Sequence, residues 1–267
     1  DDAAAGIAAA LPGEGTTPTS FLDWGFVSGL DPQRMEQVNE QVVFSPSCPA
    51  PDAITEAGEG DVLIEVLRLQ SNGCLVVETT AVPEGEVSAA LELARNGENV
   101  VAADRVVASD PAASSLLDDP GTPDQRIEAQ WALGELDAEY LWSTWPGNAA
   151  VTVAVLDSGI QTAHPDFAQG QVIGDEDRSS HGTEVAGVIA ATVNNGRDIA
   201  GLASEVGVLS IGIEMRDLAD GLSITAAVIH AANQGAEVVS ISASHPDYRE
   251  TEEAAIAIVI SRGIVVV

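Results

Sequence analysis

Asp157 and His181 are the two residues in this chain whose types and spacing could do chemistry together. Asp157 closes an apolar run, Val151–Leu156, and is followed by Ser158 and Gly159. His181 comes 24 positions later and opens the stretch His181-Gly-Thr-Glu-Val-Ala-Gly187. A carboxylate at the end of a buried strand can hold an imidazole in one tautomer and stabilise the imidazolium formed on proton transfer. Histidine suits the role of general base because its pKa lies near neutral pH. The pair is two members of a hydrolytic triad. Either residue alone has a blander reading: a turn acid capping a helix, or a surface histidine at a helix start. The conjunction carries the inference.

The elements that must position the pair follow from periodicity. Val151–Leu156 is continuously apolar, as a strand buried on both faces must be. Its neighbours alternate: a helix over 181–193, a strand over 207–213, a helix over 222–234, a strand over 237–241, a helix over 250–262 and a strand from Ile264. Strands alternating with helices of this length imply right-handed crossovers and a parallel sheet, with sites at the carboxyl ends of the strands. A further helix is expected over 127–142. Upstream, a hairpin (61–69 and 74–79, turning at Ser71-Asn-Gly73), a helix (84–95) and a strand (99–107) make a small α+β unit. The expected organisation is a leader and unassigned segment at 1–58, the small α+β domain at 59–108, an acidic proline-rich linker at 109–125, and the α/β domain at 126–267. Residues 1–20 read as a flexible leader, and 21–58 show no firm pattern.

Composition narrows the class. The 267 residues carry 42 acids against 10 bases, a net charge of −32, and every base is arginine. Phosphate binding needs basic patches, so a nucleic-acid partner is excluded. Mean hydropathy is +0.14, enough for a buried core. No apolar stretch approaches the roughly 18 residues of a membrane span. The charge reads either as compositional bias or as adaptation to salt, where self-repulsion is screened. Cys48 and Cys74 lack a neighbouring His or a Cys-x-x-Cys spacing, which argues against metal or thiol chemistry. They read as one disulfide of an exported protein or as two buried thiols.

The stretches V-A-V-L-D-S-G-I (153–160), H-P-D-F (164–167), S-H-G-T-x-V-A-G (180–187), G-L-A-S-E-V-G-V-L (201–209), V-V-S-I-S (238–242) and G-I-V-V-V (263–267) resemble the subtilisin-like serine proteases, or subtilases. Gln130-Trp-Ala-Leu-Gly resembles the start of that family's mature domain. The resemblance implies a mostly parallel subtilisin-like α/β sheet with flanking helices, incomplete here and preceded by a small α+β domain. It implies serine endopeptidase activity with Asp157 as triad acid and His181 as base. Ser242, Ala243 and Ser244 would lie on the strand that pairs with a protein or peptide substrate. Gln130, Asp166 and Asn195 would fall at side-chain ligands of a calcium site, whose oxygen chemistry suits Ca²⁺. The unit at 59–108 would resemble a propeptide that acts as the protein's own inhibitor. Secretion or display at the cell surface follows.

The sequence departs from the family in three places. Glu184 stands where a second His is usual, and Ser244 where a Gly is usual. The oxyanion Asn and the nucleophilic Ser of a Gly-Thr-Ser turn are not found within 1–267. The expectation is therefore a fragment that supplies Asp and His only, inactive alone, incompletely folded and with an unpaired final strand at 264–267. The competing reading is a subtilase-like binding module without catalysis, which Glu184 and Ser244 favour.

Overall fold

The run that ends in Asp157 forms strand β5 (Thr152–Asp157), the middle of a five-stranded sheet. A computed structural model describes residues 32–54, 58, 60–106, 110–111, 130–145, 147–214, 221–245 and 247–267. In it β5 lies between β7 (Gly207–Gly212) and β8 (Val238–Ile241). β6 (Val172–Gly174) pairs with β7, and β10 (Val265–Val266) pairs with β8. Every pairing in this sheet is parallel, as the alternating pattern predicts.

Side chains alternate along a strand, so β5 serves two cores. Val153 and Val155 pack with Ala186 and Ala190 of helix α5 (His181–Ala190). Ala154 and Leu156 face the other way, onto helices α6 (Ile224–Asn233) and α7 (Glu250–Ser261). This two-sided burial is why the run shows no polar alternation.

The upstream unit has β1 (Asp61–Leu69) between β2 (Leu75–Pro83) and β3 (Val100–Arg105), all antiparallel. One face of its sheet carries helix α2 (Val87–Arg95), with Leu91 and Ala94 against Val66, Val100 and Ala103. The opposite face puts Leu67 and Leu69 into the cluster formed by α6 and α7. Helix α1 (Pro32–Gln41) adds Met35 and Val38 to that cluster, and Val42 follows just after it. Cys48 and Cys74 are disulfide-bonded, fastening the segment after α1 to the β1–β2 turn. Of the two cysteine readings, the bonded one holds.

Several expectations need correction. The helix expected over 127–142 is, where described, two short helices, α3 (Trp131–Glu135) and α4 (Ala138–Thr144). They break at Asp137, which takes φ +51°, a left-handed conformation that Asp tolerates better than most residues. Helix α5 stops at Ala190, three residues early, because Ala191 swings to an extended ψ of 144°. β6 and α1 were not expected. The final strand is not unpaired: Val265 and Val266 register with Val238 and Val239. The leader at 1–20, the linker from 112 to 125 and residues 127–129 lie outside the described residues. Asp110–Pro111, inside the expected linker, forms strand β4. Among the described residues no helix is long and apolar enough to cross a membrane.

Candidate active site

Asp157 and His181, 24 residues apart, meet at the carboxyl end of the sheet. The Asp157 carboxylate is fully buried, and the His181 ring retains 12% of its exposure. His181 Nδ1 lies 2.8 Å from Asp157 Oδ1 and 2.9 Å from Oδ2. A carboxylate only accepts, so Nδ1 carries the proton in this contact and Nε2 is left as the basic nitrogen. Asp157 Oδ1 also accepts the Ser158 N–H at 2.6 Å. That second bond fixes the carboxylate that fixes the ring.

Two glycines permit the approach. Gly159 turns the chain out of β5 at φ +94°, and a Cβ there would sit 2.1 Å from the Glu176 carbonyl oxygen. At Gly182 a Cβ would lie 2.1 Å from the Gly159 carbonyl oxygen and 3.1 Å from Asp157 Cβ. Gly182 therefore lets α5 close onto the β5 turn, bringing His181 to Asp157.

Residues 148–267 match the subtilase family model. Over those residues the chain is similar to the subtilases. Thermophilic serine proteinase of Bacillus sp. (strain AK1) is 35% identical over 140 residues, covering 48% of this chain and 35% of that protein. Thermitase of Thermoactinomyces vulgaris is 32% identical over 124 residues, covering 42% of this chain and 44% of thermitase. The chain thus spans between a third and a half of the length of these curated relatives. Among solved structures, fervidolysin from Fervidobacterium pennivorans, a keratinolytic enzyme related to subtilisin, superposes with a TM-score of 0.56 at 21% identity. The superposition covers 84% of this chain and 42% of fervidolysin, and it shows the subtilisin-like α/β fold.

In this subtilase-like segment the expected substrate strand is already occupied. Ala243–Ser244 forms β9, and β4 pairs with it antiparallel, Asp110 opposite Ser244 and Pro111 opposite Ala243. Ser242 lies just past Ile241, the register partner of Leu156, so it follows β8 at the same edge where Asp157 ends β5. Glu184 accepts the Ser180 hydroxyl at 3.2 Å.

The three residues expected to hold calcium come together, but as arranged they do not fit a cation. Asp166 is 2% exposed. Its Oδ1 accepts Asn195 Nδ2 at 2.7 Å and its Oδ2 accepts the Ile199 N–H at 3.1 Å. Asn195 Oδ1 accepts the Arg197 N–H at 2.7 Å. Gln130 clasps Ala200, donating to its carbonyl at 3.1 Å and accepting its N–H at 2.9 Å. Each oxygen faces an N–H, and Asn195 turns nitrogen toward the carboxylate where a cation needs oxygen. Burial pushes the Asp166 carboxyl above the usual range, against the pull of those hydrogen bonds. Among the described residues no group of three or more His, Cys, Asp or Glu side chains converges as a metal cage.

Sequence reasoning missed the acids that join the small sheet to the α6–α7 pair. Glu65 of β1, fully buried, accepts Arg249 Nη2 at 3.2 Å and the hydroxyl of Ser223, the residue that caps α6. Asp104 of β3 accepts the Glu250 N–H at 2.7 Å, the first residue of α7. Both carboxylates thus meet a helix N-terminus, where the dipole favours negative charge. His245 Nε2, one residue past β9, lies 2.8 Å from Glu252.

Proposed function

We propose that residues 1–267 supply the acid and base of a secreted serine endopeptidase whose nucleophilic serine comes from sequence outside them. His181 Nε2 would take the serine hydroxyl proton during attack on a peptide carbonyl. Asp157 would hold Nδ1–H and stabilise the imidazolium. The observation that carries this is the buried two-oxygen contact between Asp157 and His181 at the carboxyl end of a parallel sheet.

A substrate would pair with Ser242–Ser244 by main-chain hydrogen bonds, in the place β4 takes here. Pro111 has no N–H to give that ladder, whereas a substrate residue other than proline there would have one. The unit at 59–108 would be a propeptide-like inhibitor, held by Glu65 and Asp104 on α6 and α7, with 109–125 as the connection. The disulfide supports export, since such bonds persist in oxidising surroundings. No calcium step enters, because the side-chain oxygens of Gln130, Asp166 and Asn195 already accept N–H groups of residues 195–200.

The test is cleavage of a protein substrate by the full-length protein. His181→Ala and Asp157→Asn should each lower kcat by about 10⁴-fold. Undiminished cleavage in either variant would refute the assignment. A complete reading frame without a Gly-Thr-Ser nucleophile would replace it with a binding module.

A further inference from the structure

The turn between β6 and α5 carries a carboxylate that reaches both members of the pair without touching either. Asp177 Oδ1 accepts the N–H groups of Ser179 and Ser180 at 2.9 and 2.8 Å, and the Ser158 hydroxyl at 3.2 Å. Its Oδ2 accepts the Thr183 hydroxyl at 2.6 Å. Ser158 Oγ in turn accepts the Gly182 N–H at 3.1 Å, and Thr183 Oγ1 accepts the Gln161 N–H at 2.9 Å. A hydroxyl has one proton to give. With Asp177 as acceptor, each hydroxyl donates to it and receives a backbone N–H, so the donors and acceptors close without a remainder. The other acceptor within reach of Ser158 Oγ, the Gly159 carbonyl, is 3.5 Å away.

Two of the four contacts fall on the residues that flank the chemistry, Ser158 and Ser180. Ser158 is fully buried and follows Asp157, and its N–H binds the Asp157 carboxylate. Ser180 precedes His181 and takes φ +66°, a conformation unfavourable for a residue with a Cβ. Asp177 holds that N–H in place. The turn itself is anchored by Arg178, whose Nε and backbone N–H both lie 3.1 Å from the Ser158 carbonyl.

We propose that Asp177 is a positioning residue that sets the Asp157–His181 geometry, bracing the start of α5 against the exit of β5. This rests on the reading of that pair as acid and base. Histidine Nδ1–H held by a buried carboxylate exchanges slowly with water and resonates far downfield, which gives a readout that needs no nucleophile. In the full-length protein that proton, assigned by its loss in His181→Ala, should be visible. Asp177→Ala should speed its exchange at least about 10-fold, and Asp177→Asn should recover part, since one oxygen remains for the Ser179 and Ser180 N–H groups. In the full-length protein Asp177→Ala should lower kcat by about 10²-fold with KM little changed, the scale of an ångström-size misplacement. An unchanged Nδ1 proton in Asp177→Ala, with or without a lower Tm, overturns the proposal. A full-length wild-type protein without the signal overturns the acid–base reading as well, which separates the two failures. Should Asp177→Ala not fold, Thr183→Val removes the Oδ2 contact together with the acceptor of the Gln161 N–H, and an unchanged exchange rate there overturns the proposal for that oxygen.

Discussion

Removing Glu65 should loosen the small sheet from the rest of the molecule. Its carboxylate is fully buried, and its partner Arg249 has a side chain 2% exposed, 3.2 Å away. Glu65→Ala strands a buried guanidinium and takes the acceptor from the Ser223 hydroxyl, which caps α6 through Ala226 N–H at 3.1 Å. Breaking a buried pair from one side costs about 3–5 kcal/mol. Glu252 Oε1 lies 3.7 Å from Arg249 Nη1 and takes up part of the charge, which favours the lower end, about 3 kcal/mol. For a chain of this size that lowers Tm by about 6–12 °C. Among the described residues Arg249 Nε has no hydrogen-bond partner, so the pair is incompletely compensated. Glu65→Leu with Arg249→Met should therefore lie within about 1 kcal/mol of the parent. Urea titrations of the parent, Glu65→Leu, Arg249→Met and the double variant close the cycle, and hydrogen exchange in β1 of Glu65→Ala should report the detachment. A cost below about 1 kcal/mol for Glu65→Ala, or additive single effects, would refute the reasoning.

Replacing Cys48 and Cys74 by Ser should cost about 3.5 kcal/mol in chemical denaturation, the loop entropy expected for partners 26 residues apart, and an unchanged midpoint would contradict it. Burial raises the carboxyl pKa values of Asp166, Glu214, Glu250 and Glu252, so the folded chain holds protons that the unfolded chain gives up. Their contribution is full below about pH 4 and lost as pH rises through the folded values; Tm should fall across that window, and less steeply in Asp166→Asn. His230, whose pKa burial lowers, works the other way, losing stability as pH falls below about 6.5. With a net charge of −32, Tm should climb as the Debye length shrinks from about 10 Å at 0.1 M salt to about 3 Å at 1 M, and a flat profile would count against self-repulsion. Millimolar Ca²⁺ at fixed ionic strength should leave Tm unmoved, while Asn195→Ala should lower it by unpairing Asp166.

What the sequence shows of the site follows from distance along the chain. Asp157 and His181 are legible because each is welded to a periodic element: a run apolar on both faces and a helix opened by small residues. Their partners need only a strand-to-helix crossover to meet. α1 escaped notice because its apolar stripe is only Met35, Val38 and then Val42 in a polar stretch, and what makes it a helix is the cluster it joins. No glycine or proline announces the break at Asp137 or the end of α5. The acids are harder still. Glu65 and Arg249 stand 184 positions apart, Glu250 and Asp104 stand 146 apart, and no spacing rule reaches so far. Asp177 is close in sequence to His181, yet an acid in a turn has many ordinary uses. Only the four groups that converge on its two oxygens distinguish it. The pair itself is therefore written in local pattern. The groups that hold it, and hold the small sheet over α6 and α7, are written in pairings that exist only after the chain has folded.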